Sequence, residues 1–406
     1  MQSKNEKSNA PLSGVRVLDL TNVLAGPFCC HQLAHMGADI IKVEVPNSGD
    51  LARQLGADPV LNKNLMGISF LAQNTGKRSI TINLKSTCGK KLFKELVKTA
   101  DVVVENFRPG VMERLGLGFE TLKKDNKTLI YCAISGFGQN GPLSGLPAYD
   151  QIIQGMSGVM SITGNADNAP LRVGYPIADT VGGITAAFAV SASLAKPKND
   201  RGGFIDVSML EAVMSTMGWV VSNYLVAGKV PMPIGNDNFT ASPSGSFRTS
   251  DGLINIAANK QEQFEAVCHS TGLPELITDE RFSERQTRLK NRSALTEILE
   301  KVLVSKTSAE WQNILNEHGV PAGCIWSVPE ALENPHVVNR DVIGKFTNIP
   351  GMEGDLEVIR PGIMLDGERI ATNEPPPFLG EHTDEILREL GYTTEQVKLF
   401  KQENTI

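Results

Sequence analysis

Val15-Arg-Val-Leu-Asp-Leu20, Thr21-Asn-Val-Leu-Ala-Gly-Pro27, Phe28-Cys-Cys-His-Gln-Leu-Ala-His-Met36, Gly37-Ala38 and Asp39-Ile-Ile-Lys-Val-Glu44 run on without a break. The first run is short and apolar and predicts a strand. Thr21 to Pro27 reads as a loop, with Pro27 suited to a first helical turn, where a missing N–H is harmless. Phe28 to Met36 predicts a helix, and Gly37 ends it just past the cap. Asp39 to Glu44 predicts the next strand. Strand, helix and strand in that order form a β-α-β unit.

The pattern repeats outward from there. Strands are predicted at Ser79–Leu84, Asp101–Glu105, Thr128–Ser135 and Phe204–Val207, with a helix over Ser86–Thr99. Such alternation gives an α/β protein with a mostly parallel, Rossmann-like sheet. Further helices are predicted at Ala148–Met160, Ile184–Ala195 and Met209–Ala227. The resulting division is a polar tail over 1–10, a large α/β domain over 11–225 and a linker over 226–245 rich in Pro, Gly and Asn. A small α+β domain follows over 246–330, then a linker and C-terminal segment over 331–406. In the small domain, Phe247–Thr249 and Leu253–Ala257 form a hairpin through Asp251-Gly252. Helices near 259–271, 292–304 and 307–318 and a strand at 322–326 complete it. The last segment holds Pro375-Pro376-Pro377 and a terminal helix, and is expected to return to the large domain.

Composition narrows the function. The chain has 406 residues, 41% hydrophobic and 21% charged, with net charge −6. That is an ordinary globular balance with room for two domains. The acidic excess argues against a nucleic-acid partner and leaves anionic ligands to local groups. The six cysteines, Cys29, Cys30, Cys88, Cys132, Cys268 and Cys324, form no C-x-x-C and no disulfide or metal spacing. A reducing, cytoplasmic setting is the expectation. Residues 1–10 lack an apolar core of a signal, and no apolar run is read as a membrane span.

Gly136-Phe-Gly-Gln-Asn-Gly141 matches G-x-G-x-x-G in letters only. Pro142 and Ser144-Gly145 continue a loop where that motif must open a helix, so a nicotinamide-dependent enzyme is not indicated. Val173-Gly-Tyr-Pro-Ile-Ala-Asp179-Thr-Val-Gly-Gly183 carries more. An Asp just before a helix meets the free N–H groups and the positive end of the dipole. A carboxylate there stays ionised, and the glycines keep bulk away. Asp179 is a candidate nucleophile, against the plainer reading of a helix cap. His31 and His35 are spaced i, i+4 but lack a third ligand, so they read as helix-face residues and no metal is predicted. Glu44 and Glu105, at strand ends, are either second carboxylates or structural acceptors. Asp150 either orients substrate or caps its own helix.

Several stretches occur together in one order: Val17-Leu-Asp-Leu-Thr21 before Ala25-Gly-Pro27; Gly37-Ala38 before Ile41-Lys-Val-Glu44; Asn74; Lys77-Arg-Ser79; Val104-Glu-Asn-Phe-Arg-Pro-Gly110; Tyr149-Asp150; Ala178-Asp179; and Leu379-Gly-Glu-His-Thr383. On these the chain resembles the class III CoA-transferases, from about residue 12 to about residue 395. The resemblance implies a Rossmann-like large domain, a small domain and long linkers, with two open-ring chains interlocked as a homodimer. It implies that Asp179 attacks an acyl-CoA thioester. A mixed anhydride and then an aspartyl-CoA thioester would follow. Backbone N–H groups near Gly182 and Gly183 are candidates for the oxyanion. By motif position, Val23, Leu24, Ala25, Ile82, Lys85, Asn106, Phe107, Arg108 and Arg114 would contact CoA, a substrate and not a permanent cofactor. Taken without the resemblance, Lys85 and Arg114 read as surface charges and Asn106 as a helix cap.

The formyl-CoA enzymes of the family carry Gln at the position of Leu24, Arg at that of Val45, Lys at that of Pro147 and a Gly-rich loop in the small domain. None is present, so the pattern points toward members that move CoA between succinate, glutarate, acetate and oxalate. A short dicarboxylate is the expected partner acid, with Arg172 and Arg248 as candidates for its far carboxylate. Two alternatives remain at this point. An α-methylacyl-CoA racemase needs a His about 30 residues before the Asp, and Gly145 to Asp150 has none. A non-catalytic CoA-binding protein would not need Asp179.

Overall fold

The computed structural model describes residues 10–347, 349, 352 and 354–406. Residues 1–9 of the expected polar tail lie outside that range. Six strands form one sheet: β1 (Arg16–Asp19), β2 (Asp39–Glu44), β3 (Lys77–Thr81), β4 (Val102–Glu105), β5 (Ile130–Ser135) and β6 (Gly203–Ser208). All neighbours are parallel, in the order β3-β2-β1-β4-β5-β6. Leu18 faces Ile41 on one side and Val103 on the other, and all three are buried. Apolar runs of this kind suit strands covered on both faces. The chain moves outward from β1 to β3, then crosses back to β4. The reversal between β1 and β4 leaves a crevice at their carboxyl ends, where open α/β sheets bind ligands.

Four helices shape that crevice: α1 (Ala25–His35), α2 (Asp150–Met156), α3 (Ile177–Leu194) and α4 (Met209–Thr216). Several boundaries differ from the sequence expectation. α1 starts at Ala25, not Phe28, because Pro27 is accepted anywhere in the first turn. α3 starts at Ile177, not Ile184, which places Asp179 inside its first turn. β3 starts at Lys77, whose ammonium is buried against Asp19 at 2.9 Å, so its polar letter conceals a core position. The long helix expected over Met209–Ala227 breaks at Met217 into α4 and a helix over Gly218–Ala227. Ser215 and Thr216 hydroxyls bond back to the carbonyls of Ala212 and Val213 just before the break, a local competitor of helix continuation.

α3 also corrects the reading that no apolar run has membrane-span length. By length and composition its 18 residues could cross a membrane. Here it packs Ala178, Gly182, Gly183, Ala186 and Val190 into the protein.

Buried charges tie β1, β2 and β3 together. Lys77 and Lys42 flank Asp19, and Lys42 also pairs with Asp50 at 3.0 Å. Burial alone would raise the Asp19 pKa, but the two lysines and the Thr21 hydroxyl hold it below the usual carboxylate value. The C-terminal residues Arg340–Ile406 are counted with this first unit. Gly76 N–H bonds to the Glu374 carbonyl, His382 N–H to the Ser79 carbonyl and Asn83 N–H to the Thr405 carbonyl. Ile386, Leu387 and Val397 join the core of Leu18 and Ile41.

The second unit comprises Met160–Leu171 and Gly228–Asn339. The sequence division puts 160–171 in the large domain. The structure counts it here, tied by the Gly235 N–H to the Gly164 carbonyl at 2.7 Å. Strands β7 (Ser244–Arg248), β8 (Leu253–Ala257) and β9 (Ala322–Cys324) are antiparallel. Helices Gln261–Thr271, Arg292–Leu303 and Ser308–Glu317 cover them. The core centres on Phe247, Ile254, Phe264, Phe282 and Trp311. Trp311 donates its indole N–H to the Leu303 carbonyl at 2.7 Å, so its burial leaves no orphan donor.

Candidate active site

The loops after β1 and β4 meet at the crevice and fix each other. Asn22 N–H donates to Asn106 Oδ1 at 2.9 Å, and Asn106 Nδ2 donates back to the Asn22 carbonyl at 2.9 Å. Asn106 is therefore not the cap of the helix that follows; Gly110 occupies that place. Val23 has φ of 67°, a left-handed conformation that a β-branched residue adopts only under constraint. The constraint is visible. Val23 N–H donates to Asp50 Oδ1 at 2.9 Å, and Lys42 Nζ donates to the Thr21 carbonyl at 2.8 Å. Asp50 and Lys42 are fully buried, and the sequence offered no signal for either in this role.

These loops wall a cavity of about 300 Å³. Residues 22–25 line it from β1, 106–109 from β4 and 134–136 from the end of β5, with 146–149, Met209 and Asp179 closing it. Val23, Leu24, Ala25, Asn106, Phe107, Arg108 and Asp179 are thus brought together. The other predicted contacts are elsewhere. Ile82 is 1% exposed and sits in the sheet core, because its N–H continues from β3 to the Glu44 carbonyl. Lys85 and Arg114 are exposed and do not line the cavity.

Asp179 is half-buried in the first turn of α3, behind a Pro176 cap that has no side-chain acceptor. Asp150 supplies one from α2. Its Oδ1 accepts the Ala178 N–H at 2.8 Å and its Oδ2 accepts Gln154 Nε2 at 2.7 Å. Gln154 Oε1 in turn accepts the Val173 N–H. Asp150 caps α3 across the site, not its own helix, and brings a second negative charge beside Asp179. Burial first, and Asp150 second, push the Asp179 pKa up to about 7. The expectation of a firmly ionised carboxylate fails for that reason.

Gly182 and Gly183 lie inside α3, so their N–H groups are taken by carbonyls one turn back and do not face a substrate oxyanion. Their use is close packing. A Cβ on Gly183 would stand 2.5 Å from the Ala25 carbonyl oxygen, and one on Gly182 2.9 Å from Met209 Cγ.

Glu44 is a structural acceptor. Arg53 holds both its oxygens at 2.7 Å, and Ser79 and the Asp50 N–H complete the set. Glu105 accepts the Phe107 N–H at 2.7 Å, shaping the second loop, and burial raises its pKa to about 8. His31 and His35 are buried in α1. His31 Nε2 meets Thr75 Oγ1 and His35 Nδ1 accepts the Thr372 N–H. Burial lowers both pKa values, that of His35 to about 4. Among the described residues no group of His, Cys, Asp and Glu could hold a metal. Arg172 is exposed, and Arg248 belongs to the second unit and pairs with Glu300 at 3.6 Å.

Residues 12–383 match the family model of CoA-transferase family III. The chain belongs to that family. It is 37% identical over 384 residues to succinyl-CoA:glutarate CoA-transferase of Mus musculus, covering 94% of this chain and 87% of the relative. It is 40% identical over 341 residues to acetyl-CoA:oxalate CoA-transferase of Acetobacter aceti, covering 84% and 87%. Among solved structures it resembles a CAIB/BAIF family protein from Brucella suis, with TM-score 0.81, 34% identity and coverage of 94% and 100%. The protein is thus a family III CoA-transferase, an enzyme whose family acts on CoA thioesters.

The raised Asp179 pKa sets a pH dependence for a family III enzyme that uses this carboxylate. Activity needs the ionised form, so kcat/KM should rise tenfold per pH unit up to about pH 7 and then level. Asp150→Asn removes the neighbouring charge and should move the break to lower pH. An unmoved break would mean that Asp179 is not the titrating group.

Proposed function

We propose that this enzyme moves CoA from an acyl-CoA, with succinyl-CoA as donor, to a short carboxylic or dicarboxylic acid, and that Asp179 is the nucleophile. The observation that carries the reading is Asp179 itself, half-buried and facing the cavity that the β1 and β4 loops wall. The relatives named for succinyl-CoA:glutarate and acetyl-CoA:oxalate transfer support the choice of acids. An Asp179 oxygen attacks the thioester carbon and the C–S bond breaks, giving a mixed anhydride and CoA thiolate. The thiolate attacks the aspartyl carbonyl, forming an Asp179–CoA thioester and releasing the first acid. The acceptor acid then runs both steps in reverse. Holding the reactants at the end of a rigid helix supplies positioning. The cavity's apolar wall, with Val23, Leu24, Met209 and Phe107, limits water that would hydrolyse the anhydride. CoA enters and leaves as a substrate. The racemase alternative gains no support, since no His lines the cavity among the described residues.

The test is mass spectrometry after incubation with succinyl-CoA, with hydroxylamine trapping and peptide mapping. Modification confined to Asp179 supports the reading. An unmodified Asp179 in an enzyme that still transfers CoA would refute it.

We also propose a homodimer. Ile184 and Phe188 on α3 are 49% and 75% exposed, and the helix Gly218–Ala227 has no buried residue, with Leu225 and Val226 at 74% and 86%. Apolar faces of this extent mark an interface. Light scattering should give twice the 43.9 kDa chain mass, and Phe188→Asp should give the single mass. A wild-type monomer, or a dimer indifferent to this substitution, would contradict the assignment.

A further inference from the structure

Gln154 is fully buried, one turn of α2 beyond Asp150. Residues four apart share a helix face, and Gln154 Nε2 donates to Asp150 Oδ2 at 2.7 Å. The same amide reaches the segment that leads into α3. Its Nε2 also donates to the Tyr175 carbonyl at 3.3 Å, and its Oε1 accepts the Val173 N–H at 2.9 Å. Asp150 Oδ1 adds the Ala178 N–H at 2.8 Å. α2 thus fastens Val173, Tyr175 and Ala178, and Asp179 is the next residue. Pro176 offers this entry no side-chain cap, so the fastening comes from α2. A buried amide is costly unless its polar atoms are bonded, and both polar atoms of Gln154 are. The bonds to Val173 and Tyr175 suffice to tie a loop. The bond to Asp150 is additional, and it is made to a carboxylate beside the nucleophile.

We propose that Gln154 is a positioning residue of the transfer reaction: its amide fixes the Asp150 carboxylate on the Ala178 N–H, and so holds the turn that carries Asp179 in the cavity wall. The inference rests on the reading of Asp179 as nucleophile. Gln154 itself touches neither substrate nor the reacting atoms. With Nε2 on Oδ2, the Asp150 carboxylate is kept from turning Oδ1 away from the Ala178 N–H. The first turn of α3 is then in place before the thioester arrives. Attack on a carbonyl carbon tolerates little error in position, and a displacement of about 1 Å costs about 100-fold in rate. The cavity loops at 23–25 and 106–108 are held by other groups, Asp50 and Asn22 among them, so acyl-CoA binding does not depend on Gln154.

The experiment compares Gln154→Leu and Gln154→Glu by steady-state kinetics between about pH 6 and about pH 9, each value taken relative to wild type at the same pH. Leu removes every bond of the amide. Its kcat should fall by about 100-fold, with KM for succinyl-CoA changed by less than about threefold. Glu is the sharper probe. It accepts the Val173 N–H in either protonation state, but it has a donor for Asp150 only while protonated, and burial beside Asp150 favours that form at low pH. Gln154→Glu should therefore stay within about fivefold of wild type near pH 6 and fall toward the Leu value as pH rises. The tie to Val173 is the same throughout, so the loss isolates the bond to Asp150. α2 packs against α3 and α4, whose titratable residues are Asp179 and the exposed Glu211, and Tyr175 is exposed too. These are present in wild type and cancel in the ratio. A Leu variant within about threefold of wild type overturns the proposal. So does a Glu variant whose ratio to wild type is constant with pH, which leaves Gln154 a loop tie alone. Should the Leu variant fail to fold, the Glu profile still decides. Failure of the parent reading looks different: wild-type Asp179 would stay unlabelled by succinyl-CoA.

Discussion

Asp179→Ala should abolish CoA transfer, with kcat reduced by about 10⁴-fold or more. The residue removed is the proposed nucleophile, and the cavity holds no other carboxylate to replace it among the described residues. Binding of acyl-CoA should survive, because Val23 to Ala25 and Asn106 to Arg108 are untouched. Transfer activity within tenfold of wild type would sink the nucleophile assignment. The same residue carries a stability signature of opposite sign. The folded-state pKa of Asp179 is about 7, above the value of about 4 for an unfolded aspartate. The native state therefore binds more protons between those values, and wild-type stability falls as pH rises through that window. Asp179→Asn should melt higher than wild type at pH 8, with the difference closing toward pH 4. A difference constant with pH would mean that the carboxyl is not perturbed.

The largest effect on stability is expected at Arg53. Its guanidinium is fully buried, grips both Glu44 oxygens at 2.7 Å, donates to the Pro377 carbonyl and lies 3.6 Å over the Phe70 ring. Arg53→Ala leaves Glu44 charged and buried without its partner, which costs about 3–5 kcal/mol. Denaturant unfolding should report that loss at pH 7. Replacing both residues with apolar ones of similar size should recover much of it, because the paired burial itself has a desolvation cost. A loss below about 1 kcal/mol for Arg53→Ala would show that water reaches the pair. The network matters to the site as well. Glu44 accepts the Asp50 N–H, and Asp50 holds Val23 in its left-handed turn, so a loosened Arg53 should also raise KM for acyl-CoA.

Local pattern made the sheet readable. VRVLDL and DIIKVE bracket a helix and a terminal glycine, and hydrophobic periodicity with punctuation is enough to name a β-α-β unit. The hairpin around Asp251-Gly252 was equally local. The order of motifs was enough to identify the family. Six of the nine proposed CoA contacts line one cavity. Ile82, Lys85 and Arg114 lie outside its wall, because whether a side chain enters the cavity depends on which face of its element turns inward.

What the sequence by itself determined was the alternation of strands and helices and the nearness of Asp179 to a helix start. Those follow from interactions within a few residues. Only the tertiary structure decided how that carboxylate behaves. Asp150, 29 positions earlier in the chain, caps α3 and presses a like charge against Asp179. Gly182 and Gly183 turned out to be the points where α4 and α1 pack closely on α3, not donors. Asp50 and Lys42 fix a strained loop from a distance. Burial, like-charge proximity and close helix approach are sums over groups far apart in the chain, and no local spacing of letters encodes them.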